Sequence, residues 1–121
     1  MFMIFSSTES VQLVMRDLNN LESVGAIKSV KIVQGCYAGV EETAYIVYAG
    51  YDVLPAVHDL VLNDYKQQAL LVVDFNNSCT MYTSGRGVCG VNVGRWRKVS
   101  QAYAREQDAY TRIANDYFVV E

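Results

Sequence analysis

The period of the apolar positions changes repeatedly along the chain, and each change marks an element. Phe2 to Phe5 reads as a short strand. Ser6 with Glu9 forms a capping box, which predicts that a helix starts there. Val11, Val14, Met15, Leu18 and Leu21 then recur at helical spacing, opposite Arg16, Asp17, Asn19 and Asn20, and Gly25 is expected to stop the helix. Ala26 to Gln34 alternates as a half-buried strand that Gly35 should end. After a glycine-centred turn, a second strand runs from Thr43 to Ala49 and stops at Gly50. Asp52 is placed to cap a second helix, with Pro55 in its first turn and Leu54, Val57, Leu60, Val61 and Tyr65 as its buried stripe. Ala69 to Phe75 is a nearly continuous apolar strand, Asn76-Asn77-Ser78 a turn, and Cys79 to Thr83 its hairpin partner. Ser84 to Gly94 is glycine-rich, Arg95 to Val99 a short strand and Ser100 to Gln107 a helical turn. Ala109 to Ile113 and Tyr117 to Val120 form a closing hairpin across Ala114-Asn115-Asp116.

Through Thr83 the order is strand, helix, strand, strand, helix, strand. That order predicts a ferredoxin-like α+β fold: a split βαβ sandwich with an antiparallel sheet, two helices on one face and an added C-terminal hairpin. A chain of 121 residues makes a single domain over 1–121. At 51% hydrophobic and 19% charged residues the composition tilts apolar, which points to an oligomer. A net charge of −3 supplies no electrostatic footprint for nucleic acid, and Arg95, Arg97 and Lys98 read as a solvated strand end. Cys36, Cys79 and Cys89 form no CxxC pair and His58 stands alone, which argues against a structural metal. An odd cysteine count without a signal peptide fits a reducing cytoplasm, and no apolar run reaches membrane-spanning length.

Gly85-Arg86-Gly87-Val88-Cys89-Gly90 matches GxGxxG, but Val91-Asn92-Val93-Gly94 follows where a dinucleotide loop needs a helix, so it reads as a loop. His58 would have to serve every role in a nucleophilic triad; it reads as a surface or half-buried helix residue. Glu41 and Glu42 open a strand, while Asn63-Asp64-Tyr65-Lys66-Gln67-Gln68 closes a helix before Ala69 to Val73. The two segments suit neighbouring positions in one sheet, which gives a polar pocket. Adjacent strand residues face opposite sides, so at most one of the two glutamates enters a given pocket.

Gly35-Cys36-Tyr37, Glu41 opening an apolar strand, Tyr65-Lys66-Gln67 before Ala69-Leu70-Leu71-Val72, and the tail Tyr110-Thr111-Arg112-Ile113 to Tyr117-Phe118-Val119-Val120 together resemble the phage-encoded S-adenosylmethionine lyases, formerly called hydrolases. The resemblance implies a homotrimer with S-adenosylmethionine bound between subunits and no cofactor. It implies cleavage to 5′-methylthioadenosine and homoserine lactone by attack of the substrate's own carboxylate. Glu41 would orient the substrate, with Glu42 in its place if the register slips by one. Gln67 would hold polar groups, and Tyr37 would supply a hydroxyl or stacking face. Tyr45, Ile46, Leu70 and Leu71 would wall the adenine. The implied setting is the cytoplasm of an infected bacterium, where loss of the methyl donor blunts restriction of phage DNA. Two other readings remain: a lyase for a nucleotide-conjugated form of the same sulfonium compound, and a non-catalytic inhibitor whose apolar sheet binds a host protein.

Overall fold

The computed structural model of the protein describes residues 1–23, 27–84 and 89–121. Strand β1 (Phe2–Ser6) runs to Ser6, so Ser6 ends a strand instead of capping a helix. Helix α1 (Val11–Ser23) starts four residues later than the capping-box reading, at Ser10. The Ser10 hydroxyl accepts the Leu13 N–H at 3.2 Å, and its carbonyl accepts the Val14 N–H at 3.1 Å. An N-cap of this kind contributes about 1 kcal/mol. The expected stop at Gly25 lies outside the described residues.

Strand β2 (Ile27–Tyr37) does not end at Gly35; it continues to Tyr37 and turns directly into β3 (Val40–Ala49). The turn is made by Ala38 and Gly39 with φ of 51° and 81°, two left-handed residues that match the twist of a two-residue hairpin. The second helical region is composite. A 3₁₀ turn (Tyr51–Val53) precedes α2 (Leu54–His58) and a π-helical segment (Asp59–Asp64). Asp52 sits inside the 3₁₀ turn and makes no cap, because Val53 occupies the N-cap of α2 and Pro55 follows it. The wider π turn carries Leu62 into the core and leaves Leu60 half-buried, against the expected stripe. Lys66, with φ of 55°, then reverses the chain, and the Gln67 N–H returns to the Val61 carbonyl at 3.0 Å.

Strands β4 (Ala69–Val73), β5 (Ser78–Thr83) and β6 (Val91–Val99), helix α3 (Gln101–Arg105), and strands β7 (Ala109–Ile113) and β8 (Asp116–Val120) complete the chain. All eight strands form one closed antiparallel barrel in the order β1-β3-β2-β7-β8-β6-β5-β4. The ferredoxin-like sandwich expected from the sequence is therefore overturned. Its sheet would have free edges at β4 and β2, but β5 pairs with β4, β7 pairs with β2, and β6 and β8 join the two ends. The C-terminal hairpin is not an appendage; it is two staves of the wall. Closure removes most of the unpaired backbone an open sheet leaves at its edges.

Alternation gives the barrel two apolar layers. On β1, Met3 and Phe5 point outward to meet Tyr45, Val47, Leu70 and Val72, and Val14, Leu18, Val57 and Val61 of the helices cover them. Ile4 points inward with Ala44 and Ile46. Truncating a core residue such as Leu18 to alanine is expected to cost about 2–5 kcal/mol. The three cations Arg95, Arg97 and Lys98 are used locally, on the Asn76 carbonyl, on Glu121 at 3.0 Å and on Asp116 at 3.2 Å.

Two stability predictions follow from the outer layer. The Tyr45 hydroxyl is fully buried without a hydrogen-bond partner among the described residues. Tyr45→Phe is expected to leave stability unchanged or raise it by about 1 kcal/mol in urea unfolding, and a loss of more than 1 kcal/mol would show that the hydroxyl is satisfied. Tyr65 is buried and donates to Asp17 Oδ2 at 2.7 Å; burial first, and Asp17 second, push its phenol well above its ordinary value of 10.0. A raised folded value means that this contribution is intact below pH 10 and is lost as pH climbs further. Tyr65→Phe should flatten the alkaline limb of a stability–pH curve.

Candidate active site in the barrel lumen

A cavity of about 250 Å³ opens at one end of the lumen. Strand pairing explains which side chains meet there. Gly35 lies opposite Glu42 on one side and Thr111 on the other, Ser6 opposite Ala44, Ile4 opposite Leu71, and Leu71 opposite Met81. Each of these positions is inward by alternation, and each lines the cavity. Small residues make the space: Gly35, Ala44, Ala69 and Ala109 project little into it. A Cβ at Gly35 would touch the Ala44 Cβ at 3.4 Å.

The inner wall is aromatic and aliphatic. Trp96 stacks on Phe118 with centroids 5.0 Å apart and an interplanar angle of 12°. Phe2 meets Trp96 edge-on at 5.3 Å, and Leu71 and Met81 complete the surface. Glu42 is the one charged side chain among the described residues that line the cavity, with Tyr37, Tyr110, Ser6 and Thr111 as its hydroxyl-bearing lining residues. Glu42 and Tyr37 are exposed, so the polar groups belong to the mouth and the apolar ones to the interior. This arrangement suits a ligand with a charged or hydroxylated end and a flat or apolar body. Among the described residues no group of three His, Cys, Asp or Glu could hold a metal ion.

The sequence-predicted residues divide between two faces of the wall. Tyr37, Glu42 and Leu71 line the cavity, and Ile46 belongs to the inward cluster next to it. Tyr45 and Leu70 do not: both are fully buried in the outer layer beneath the helices, which removes them as walls of the lumen. Glu41 is on the outer face, where it accepts from Gln34 Nε2 at 2.9 Å and from the Tyr110 hydroxyl at 3.3 Å. Desolvation, followed by the adjacent Cys36 and Glu41, raises the Tyr110 phenol above its ordinary value. Gln67 is half-buried in the link to β4, two residues before the lumen-lining Ala69, and is not among the lining residues. His58, expected at the surface or half-buried, is buried and meets the Tyr82 ring edge-on at 5.8 Å. Of the glycine-rich loop, Gly85 to Val88 lie outside the described residues.

Trp96, Phe118, Met81, Ser6 and Thr111 also line the cavity, and the motifs in the sequence do not single them out. A signal for Trp96 exists in the sequence. In Arg95-Trp96-Arg97 the lone aromatic alternates with cations, so the face opposite the cations is the buried one. The same alternation in Tyr110-Thr111-Arg112-Ile113 marks Thr111 and Ile113 as inward.

A family model described as the S-Adenosylmethionine lyase family matches residues 7–121. No curated protein matches the chain.

Trp96 is the chain's only tryptophan and lines the cavity, so its emission reports on a ligand seated there. Titration with S-adenosylhomocysteine, a neutral thioether analogue, is expected to change its emission saturably. Binding by calorimetry without an emission change would move the site out of the lumen.

Proposed function

We propose, starting from the fact that the chain belongs to the S-adenosylmethionine lyase family, that it cleaves S-adenosylmethionine to 5′-methylthioadenosine and homoserine lactone in the lumen cavity. The protein is an enzyme of the carbon–sulfur lyase type. In the proposed reaction a carboxylate oxygen of the substrate attacks its own γ-carbon. The bond from that carbon to sulfur breaks, and its electron pair stays on sulfur as a neutral thioether. No external nucleophile and no water enter. The protein's task is to hold the methionine chain in a ring-closing shape, a kind of positioning worth up to roughly 7–11 kcal/mol in well-oriented systems.

The observation that carries this reading is the pairing of one carboxylate at the mouth with an aromatic and aliphatic interior. Ring closure annihilates a positive and a negative charge, so a weakly polar interior favours it over water. Glu42 is best used on the substrate's ammonium or ribose hydroxyls. A carboxylate against the sulfonium would stabilise a charge that the transition state is losing, and would slow the step. Tyr37 borders the same mouth and Leu71 and Ile46 its apolar side. Glu41 with Gln34 and Tyr110 forms the alternative polar cluster, favoured by the family register and by its two hydrogen bonds. Gln67, close to Ala69 in sequence, is a candidate to reach a ligand that projects from the mouth.

A cavity of about 250 Å³ is smaller than the roughly 300–1,000 Å³ of most ligand pockets. The substrate therefore overhangs the mouth, where Tyr37 and Val40 are 69% and 65% exposed. This supports a homotrimer in which a neighbouring subunit covers the overhang. The three free cysteines fit work in a reducing cytoplasm, here that of an infected bacterium, where removal of the methyl donor would blunt restriction.

Product analysis tests the reaction. In oxygen-18 water, lactone is expected first, with label entering only the carboxyl group as the lactone opens; early homoserine labelled at its γ-hydroxyl would make the enzyme a hydrolase. Glu42→Gln is expected to lower kcat/KM about 10–100-fold, in line with the 1.5–3 kcal/mol of a hydrogen bond to a charged group. Glu41→Gln should cost less than about threefold by the same scale. The reverse ranking on folded variants would move the site to the outer face.

A further inference from the structure

Closure of the barrel is incomplete along one strand. β2 pairs with β3 over its whole length, from Ile27 to Tyr37, but with β7 only from Gln34 to Tyr37. β7 ends at Ile113, where the chain turns back through Ala114 into β8. Beyond that point the outer backbone edge of β2 has no strand beside it among the described residues. Ser29 to Val33, past the irregularity at Ile27, is the regular part of this open edge and is about 17 Å long. A groove of about 530 Å³ lies where β2 runs past the β7 turn, lined by Lys31, Ile32, Val33, Gln34, Arg112 and Ile113 among others.

The groove carries charge of one sign. Lys31 and Arg112 stand on its two walls, and no carboxylate is among the described residues that line it. Lys28 lies just upstream and is exposed. The Lys31 ammonium sits 5.7 Å over the Tyr48 ring and Arg112 5.8 Å over the Tyr117 ring; among the described residues none of the three cations forms an ion pair. This concentration of cations runs against the chain's net charge of −3. Beside it Ile32 is 51% exposed, an apolar side chain on a strand with one open edge.

We propose that the open edge of β2 between Ser29 and Val33 binds an extended acidic peptide of a partner protein as an added strand, antiparallel to β2 and in line with β7. Unpaired N–H and C=O groups supply main-chain hydrogen bonds, the mode by which strand addition gains affinity. The cations select the occupant. Two copies joined edge to edge through this segment of β2 would bring Lys31 of each against Lys31 of the other, and like charges across a strand pair are destabilising. Lysines on an edge are a known guard against self-pairing. An acidic strand meets the opposite condition, and Ile32 offers an apolar contact to alternate residues of the ligand.

The probe is a fluorescein-labelled eight-residue peptide alternating glutamate and valine, titrated with the full-length protein by anisotropy in low and moderate salt. Saturable binding is expected. It should weaken at least tenfold in a Lys28→Glu/Lys31→Glu variant, whose changes are at exposed positions and whose folding is checked by circular dichroism. A peptide N-methylated at alternate amides, of the same charge, should also lose at least tenfold, because it cannot pair as a strand. Retained binding of the N-methylated peptide would reduce the effect to charge alone and overturn the proposal, as would equal binding of an alternating lysine–valine peptide or no binding at all. Concentration-dependent protection of the Ser29 to Val33 amides without peptide would make a second copy the occupant and overturn it too.

Discussion

Four backbone pairings between β2 and β7, Gln34 with Arg112 through Tyr37 with Ala109, decide what this molecule is. They are reinforced by the Ala38 N–H, which donates to the Asp108 carbonyl at 2.6 Å and ties the β2–β3 turn to the start of β7. With this ladder the sheet is a tube with an inside. Without it, the surface that holds Ile4, Leu71, Trp96 and Phe118 would be one face of an open sheet, and Glu42 would stand on a flat surface instead of at a mouth. The ladder also sets the limits of the tube, since where it stops the wall is left ajar along Ser29 to Val33.

Much of the secondary structure was legible because it is local. The stripe of α1, the hairpin across Asn76-Asn77 and the β7–β8 hairpin are fixed by spacing and turn chemistry within a few residues. The errors arose where two local rules competed. Ser6 and Ser10 both offer a side-chain cap, but pairing with β3 holds the chain extended through Ser6, so the later serine caps. Gly35 looked like a stop because glycine weakens strands; here it is a place where the lumen needs no side chain. Asp52 lost its cap because Pro55 and the 3₁₀ turn shift the helix start.

The global fold was not legible for a different reason. Nothing in the run from Phe2 to Thr83 says whether its edges stay free; that depends on where β6, β7 and β8 go, and such pairings join residues far apart in sequence. The site inherited the same ambiguity. Alternation sends Glu41 and Glu42 to opposite faces of the strand but cannot name the inward one, because "inward" has no meaning until the sheet closes. Tyr45 and Leu70 qualify as apolar walls by their place in apolar strands, but those strands are buried on both sides. Polarity alone cannot tell a wall facing a lumen from a wall facing helices.

The closing ladder joins residues more than seventy positions apart, the widest separation of any strand pair described here. Hairpins such as β4–β5 and β7–β8 close short loops and form early, whereas a pairing of that span carries the largest loop-closure entropy and comes late. Until it forms, the chain is an open sheet with its inner apolar layer wet and two long edges bare, the condition in which chains stick to one another. The hazard of this architecture therefore lies on the way to the native state and not in it, and it is visible as a refolding yield that falls with protein concentration.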